Sequence, residues 1–344
     1  MSQRHQLAFV TALVLDALEQ QVPATAATEQ QAEALRACAS GIRAAMSAEA
    51  PRNLPSIYLP YLLAVGLGAD TQAAVDAGVV CTAVYAAARL IDDLMDGHPP
   101  SYLPDTSTSE NLLSLGTVQC ASSYRLIATS ASRCEARLRM TTALSACITS
   151  MAAGQLEDLA GMPKGATIPR ILAAIRGKSG GALAGFAALG ALAAGCDEAV
   201  ETSCAAFGYH LGVARQIEAD LAELASTGGG RPTRNRAITL PVALHIEAID
   251  EAAGYAFHRR FNEATTPASF ADLYAELTAS GAIAATRVHV EMELTRAADS
   301  LERIPLDDRA RLDLASLAGL STSQRTHIQH DPNSRSLHAE ISHP

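Results

Sequence analysis

Apolar and polar positions recur at helical spacing along most of the chain. Residues 5–47 carry that period with a break at Gln20-Gln21-Val22-Pro23, which predicts two helices. A turn, Ala50-Pro51-Arg52-Asn53-Leu54-Pro55, leads into an apolar segment from Ile57 to Gly68 and then into a helix starting at Thr71. Gly97 to Glu110 is rich in Pro, Ser, Thr and Asp and reads as a long exposed loop, a candidate lid. Helical patterning resumes at Asn111–Thr129, Ser132–Ala160, Pro169–Ala193 and Ala199–Leu224. After a glycine-rich basic loop the chain re-enters a helix at Leu240-Pro241. Residues 242–318 then give three more helical patterns, broken near Thr266-Pro267 and Ile304-Pro305. From Ser321 the composition is polar and unpatterned, which predicts a disordered tail over 321–344. Strand-forming clusters bounded by turn signals are hard to find, so the expected class is all-α, with one helical domain over 1–320.

Composition narrows the partners. The 344 residues carry a formal charge of −10 with a pI near 5.5, which argues against nucleic acid or an anionic membrane as a partner. Seven cysteines are scattered singly without metal-type spacing, and read as reduced core thiols of a cytoplasmic protein. The longest uncharged run, Ser179–Cys196, is marginal in length and too rich in glycine and alanine for a bilayer span. It reads instead as a helix packed on all sides, and no membrane span is expected.

Chemistry concentrates at Leu90-Ile91-Asp92-Asp93-Leu94-Met95-Asp96. On a helix Asp92 and Asp96 project from one face about 6 Å apart along the axis, with Asp93 beside them. Arg89 is the only charge from Ala77 to Leu90, so the acids crowd the end of an apolar helix. Such a set repels itself unless a cation sits there, and all-oxygen ligands suit Mg²⁺; a solvated acidic helix end is the plainer alternative. Gln155 and Asp158 share a face three residues apart. Lys178 lies in a basic island of an apolar helix, where it either snorkels to solvent or meets an anion. Gln216, Asp220 and Glu223 share a face at i, i+4 and i+7, as in any amphipathic helix.

Taken in order, these segments resemble the polyprenyl-synthetase family of class I isoprenoid enzymes. The matching pieces are Asp92-Asp93-Leu94-Met95-Asp96, Gly154-Gln155-Leu156-Glu157-Asp158, Lys178-Ser179, Leu211-Gly212-Val213-Ala214-Arg215-Gln216-Ile217 and Thr239-Leu240-Pro241. The resemblance implies a helical bundle around a central apolar cavity, two acidic motifs facing across its mouth, and up to three Mg²⁺ ions holding the diphosphate of an allylic prenyl substrate. It makes Asp92, Asp96, Asp220 and Glu223 metal ligands, with Asp93 beside them, and sets Lys178 and Gln216 toward the diphosphate. Gln155 and Asp158, with Tyr85, Ala87 and Ala88, would line the cavity. Two alanines before the acidic motif leave room for a C20 or longer chain within a C15–C25 range, with Tyr85 deeper in the pocket. Family relatives are commonly homodimers.

The departures shape the expected reaction. The second motif has Ala219-Asp220 where two aspartates are usual and ends in Glu223, which puts the third metal in doubt. Gly97–Glu110 contains no Arg or Lys, and the upstream basic segment has shrunk to Pro51-Arg52-Asn53-Leu54-Pro55. A second diphosphate would thereby lose several charge-assisted hydrogen bonds, each worth about 1.5–3 kcal/mol. The expectation is therefore a one-substrate reaction, a terpene synthase that ionises a prenyl diphosphate and ends in cyclisation or elimination. Arg231, Arg234 and Arg236 would reach the diphosphate from their glycine-hinged loop. The alternatives are a prenyltransferase, acting on isopentenyl diphosphate or on an acceptor such as a peptide, and an inactive partner subunit.

Overall fold

The computed structural model describes residues 3–47, 54–97, 99, 101, 103, 105–161, 167–226 and 238–320, and every regular element among them is helical. In chain order these are α1 (Gln3–Gln21), α2 (Glu29–Ser47), α3 (Pro55–Gly66), α4 (Thr71–Met95), α5 (Thr108–Thr117), α6 (Ser123–Thr129) and α7 (Cys134–Gly161). Then follow α8 (Ile168–Ile175), α9 (Gly181–Ala193), α10 (Glu198–Ala225), α11 (Leu240–Ala248), α12 (Glu251–Glu263), α13 (Pro267–Ala279), α14 (Ala282–Glu302) and α15 (Asp308–Ala318). The expected polar tail and the loop with Arg231, Arg234 and Arg236 lie outside the described residues.

Helix starts follow short polar side chains that accept from orphan amides. Asp70, Asp197, Asp250 and Asp307 each cap a helix in this way, and Ser107 with Glu110 forms a capping box. Two sequence expectations change on that account. The loop after Gly97 ends at Ser107, so Glu110 is already helical. The three helical patterns expected over 242–318 resolve into more pieces, because Asp250 starts a new helix and Gly281, at φ 82°, turns the chain between α13 and α14.

The centre of the bundle is α9, as its uncharged sequence suggested, packed by α3, α4, α7 and α10. Phe186, Leu189 and Leu192 are fully buried there. A 25-residue helix such as α4 is apolar enough by length and composition to cross a bilayer, but 78% of its apolar window is buried inside the bundle. It is a core helix. A smaller apolar cluster, Phe257, Phe261, Phe270, Leu273 and Leu277, ties α12 and α13 to α14. All seven cysteines are free; Cys38, Cys81, Cys147 and Cys204 are core residues, whereas Cys120 and Cys134 are exposed.

Two π-helical turns, Val118–Ser122 and Arg176–Gly180, interrupt otherwise continuous helices. Such turns hold one residue more than an α-turn and change the direction in which the next side chains project. The second one carries Lys178 and Ser179. It lies backbone to backbone against α7, where Gly177 meets Gly154, and against α10, where Gly212 meets Ser179. A Cβ on Gly154 would stand 2.7 Å from the Gly177 carbonyl carbon, and one on Gly212 would stand 2.7 Å from that of Ser179. Glycine is what lets three helices converge at this level.

Candidate active site

That convergence opens on one side into a cavity of about 1390 Å³. Its walls come from the C-terminal half of α4, the last turns of α7, the π-turn, α9, α10, α14 and the final turn of α15. On α4 the stripe Tyr85, Ala88, Asp92 and Met95 faces in. The three aspartates do different things. Asp92 lines the cavity and is half-buried, Asp93 is turned inward at 3% exposure, and Asp96 is the exposed C-cap at which Gly97, φ 73°, ends the helix. Ala87, expected beside Ala88 in the pocket, is fully buried in the packed core instead, because it sits a third of a turn away from Ala88 on α4.

Polar contacts join the sequence-predicted residues across helices. Gln155 Nε2 donates to Asp92 Oδ1 at 2.8 Å. Lys178 Nζ reaches Asp158 Oδ2 at 2.7 Å and Asp92 Oδ1 at 3.5 Å. Lys178 is therefore an ion-pair partner, not a snorkelling surface residue. On the far side Ser179 Oγ donates to Gln216 Oε1 at 2.7 Å, and Gln216 Nε2 donates to Asp220 Oδ1 at 2.9 Å. The π-turn thus holds one side chain toward each acidic helix.

The electrostatics reflect crowded negative charge. Burial pushes the Asp220 carboxyl up to about 7 against the Gln216 hydrogen bond; Glu223 and Asp158 add to the rise, and Lys178 opposes it. Burial would lower the Lys178 pKa, but the charges and hydrogen bonds of Asp158 and Asp92 more than offset it and hold the ammonium above its ordinary range. At the position of the missing aspartate, Ala219 lines the cavity, with exposed Glu218 beside it. Among the described residues no three His, Cys, Asp or Glu side chains are gathered tightly enough to hold a metal ion. The donor set nevertheless suits a hard divalent cation. It is all carboxylate oxygen, its charge is offset in this structure by an inserted ammonium, and burial disfavours the ionised form of Asp220.

Residues outside the expected set also line the cavity: Arg89 on α4, Arg215 on α10, Arg287 on α14, and Ser316–Gly319, the last turn of α15 with its C-cap. A signal for two of them was available. Arg89 and Arg215 are lone positive charges in apolar stretches, and only a polar cavity or solvent accommodates such a charge. Arg231, Arg234 and Arg236 fall outside the described residues.

This all-α bundle has the fold of solved isoprenyl diphosphate synthases. The chain superposes on the crystal structure of a decaprenyl diphosphate synthase from Rhodobacter capsulatus with a TM-score of 0.75, at 21% identity, over 94% of this chain and 99% of that one. It superposes on geranylgeranyl pyrophosphate synthase from Corynebacterium glutamicum, complexed with isoprenyl diphosphate and magnesium, with a TM-score of 0.73 at 18% identity, over 93% and 98%. At those identities the likeness is one of fold. Residues 38–266 match the family model for polyprenyl synthetases, and this chain belongs to that family. Geranylgeranyl diphosphate synthase of Mycobacterium tuberculosis is 31% identical over 213 residues, which span 57% of this chain and 59% of the relative.

Proposed function

We propose that this chain is a Mg²⁺-dependent prenyltransferase that joins an allylic prenyl diphosphate to isopentenyl diphosphate. The family match carries the reading, since the relatives are named as prenyl diphosphate synthases. The one-substrate terpene synthase expected from the sequence finds no support among them. In the transfer, the allylic carbon–oxygen bond breaks, the isopentenyl double bond attacks the allylic carbon, and a proton leaves the new carbon–carbon skeleton. The products are a longer prenyl diphosphate and inorganic pyrophosphate.

The residues present divide the work. Asp92 and Asp96, with Asp220 and either Glu223 or Glu218 on the facing helix, would hold Mg²⁺. Bound there, the metal supplies Lewis-acid stabilisation of the departing diphosphate. Lys178 adds a charge-assisted hydrogen bond to that diphosphate, having been positioned by the π-turn. Gln216 is oriented by Ser179 so that its amide faces the same region. Apolar walls from Ile148, Met151, Ala182 and Leu183 keep water from the allylic cation, and the Tyr85 ring offers it a π face. Tyr85 meets Phe186 edge to face at 6.3 Å, which makes it a buttressed floor. With Ala88 above it, the cavity suits an allylic chain in the C15–C25 range. Free thiols suit a cytoplasmic setting.

The test is product analysis with Mg²⁺ and C10 to C25 prenyl diphosphates, each with and without isopentenyl diphosphate. A longer diphosphate formed only when both are present is expected. Hydrocarbon or alcohol formed from a single prenyl diphosphate would sink the transferase reading and return the lyase.

A further inference from the structure

We propose that His210, Glu293 and Arg296 form a charged latch between α10 and α14 that sets the register of the α14 cavity wall, with His210 as its pH-sensitive positioning residue. The proposal rests on the functional reading above and deepens it, because the wall being positioned is one that would meet the prenyl chain.

Among the described residues three carboxylate side chains are buried, those of Asp76, Asp93 and Glu293. Two have local explanations. Asp76 accepts from the Ala131 amide at 2.7 Å and from Gln72 at 2.9 Å, and Asp93 belongs to the acidic stretch of α4. Glu293, at 8% exposure, sits midway along α14, outside the cavity lining and outside the sequence motifs. Its partners come from both helices. His210 Nδ1 on α10 lies 2.6 Å from Glu293 Oε2, and Arg296 Nη1, one turn further along α14, donates to Oε1 at 2.6 Å. Burial alone would raise the Glu293 pKa, but the His210 hydrogen bond and charge, then Arg296, more than offset it and hold the carboxyl below its ordinary range.

A charged set buried between helices adds little net stability, because desolvation cancels most of the attraction; its best attested use is to select one register among several. Register matters at this interface. Val290, one turn before Glu293, and Arg287, one turn earlier still, line the cavity from α14, while Gly212, Arg215 and Gln216 line it within two turns after His210 on α10. The buried apolar positions of α14, Val290, Leu294, Ala297 and Leu301, recur at three- and four-residue spacing, so apolar packing discriminates weakly against a slip along α10. A carboxylate that must meet one imidazole discriminates strongly.

The latch also touches the π-turn. The Tyr209 and His210 rings meet edge to face at 5.3 Å, and a Cβ on Gly180 would stand 3.1 Å from the Tyr209 ring, so the tyrosine is wedged between the latch and the turn that carries Lys178 and Ser179. The charged and titratable groups around His210 are therefore Glu293 and Arg296 from α14 and Tyr209 from α10, with Arg176 of the π-turn acting on Tyr209. Of these residue types only histidine ordinarily changes charge between about pH 5 and 8. A protonated imidazole meets a carboxylate as an ion pair with a charge-assisted hydrogen bond, whereas a neutral one offers an N–H and no charge.

The experiment uses the full chain in Mg²⁺ and compares, by calorimetry at about pH 6 and about pH 8, binding of a C20 allylic thiolodiphosphate that does not ionise with binding of inorganic pyrophosphate. His210→Lys supplies a permanent cation, and His210→Gln a permanently neutral donor. Wild type is expected to match His210→Lys at the lower pH and to bind the C20 analogue roughly fivefold more weakly than it at the higher one. His210→Gln is expected to be roughly fivefold weaker than His210→Lys at both, with pyrophosphate affinity equal in all three. Referring wild type to the lysine variant cancels the titration of the diphosphate and of Asp220, which all three share. A wild-type affinity that keeps a constant ratio to both variants across pH overturns the role of His210, and losses that fall equally on pyrophosphate overturn the action on the wall. Hydrogen exchange over residues 284–292 keeps the latch and the prenyl reading apart, since His210→Gln and Glu293→Gln are expected to exchange faster there than wild type. Wild type that binds pyrophosphate but no prenyl analogue removes the prenyl reading, while faster exchange in the variants leaves the latch standing. Unchanged exchange in both variants overturns the latch.

Discussion

Replacing Lys178 by Met removes the one ammonium held between Asp158 and Asp92 at 2.7 and 3.5 Å. The shorter contact alone is a gross attraction of about 6 kcal/mol at an effective dielectric constant of about 20. Asp158 is 46% exposed and Lys178 27%, so solvent screening and side-chain ordering reduce the net contribution to about 1–2 kcal/mol. For a chain of this length that corresponds to a fall in melting temperature of about 1–3 °C, measured by scanning calorimetry in EDTA. A second measurement separates this account from lost packing. In wild type, Mg²⁺ alone must displace the ammonium before it meets Asp92; in the variant it need not. Magnesium without diphosphate should therefore raise the melting temperature of Lys178→Met more than that of wild type. Equal magnesium responses, or a variant as stable as wild type in EDTA, would refute the reasoning. The assay belongs near pH 8. The folded pKa of Lys178 is raised, so the ion-pair stability is fully present below the unfolded value of 10.5 and is lost only as pH rises through the folded value.

Other outcomes follow from the same geometry. Without metal, stability should fall as pH rises from about 4 to about 7, because folded Asp220 keeps a proton that the unfolded chain releases; urea titrations across that window should be flatter for Asp220→Asn. Gly212→Ala drives a Cβ onto the Ser179 carbonyl and should destabilise by about 1–3 kcal/mol in urea while weakening diphosphate binding through the Ser179–Gln216 contact. Gly208→Ala, pressed against the Leu183 backbone, should lose comparable stability with less effect on binding. A thiol reagent at pH 8 should label exposed Cys120 and Cys134 quickly, and spare Cys147 and Cys204, whose thiols burial pushes up to about 12, until the chain unfolds.

Much of this molecule can be read from local chemistry. Asp and Ser caps mark where helices begin, the unbroken apolar run marks α9 as central, Asp92, Gln155 and Lys178 share one set of contacts, and Gln216 joins Ser179 and Asp220 in another. Periodicity fails where a helix is not an α-helix. The extra residue in the Arg176–Gly180 turn shifts the phase of everything after it, so no helical wheel drawn through Pro169–Ala193 predicts that Lys178 and Ser179 face different acidic helices. It also fails at a resolution of one residue: Ala87 and Ala88 are indistinguishable by composition, and only the rotation of α4 in the bundle decides which one lines the cavity. Arg287 was hidden for another reason. It lies on a helix with ordinary amphipathic charge, and nothing local indicates that α14 closes the cavity.

The last turn of α15 bears on the order in which the cavity is completed during synthesis. Ser316 to Gly319 form part of the cavity wall, and Leu317 is the anchor for Arg215. The first acidic helix is synthesised more than two hundred residues earlier. During translation the aspartates, the lysine and the apolar floor can all assemble while one side of the chamber stays open to water. A nascent chain in that state would expose any allylic cation to hydrolysis. On the proposed function the cavity is complete only with the last described helix, and a ribosome-stalled chain ending before Asp308 should bind a prenyl diphosphate more readily than it turns it over.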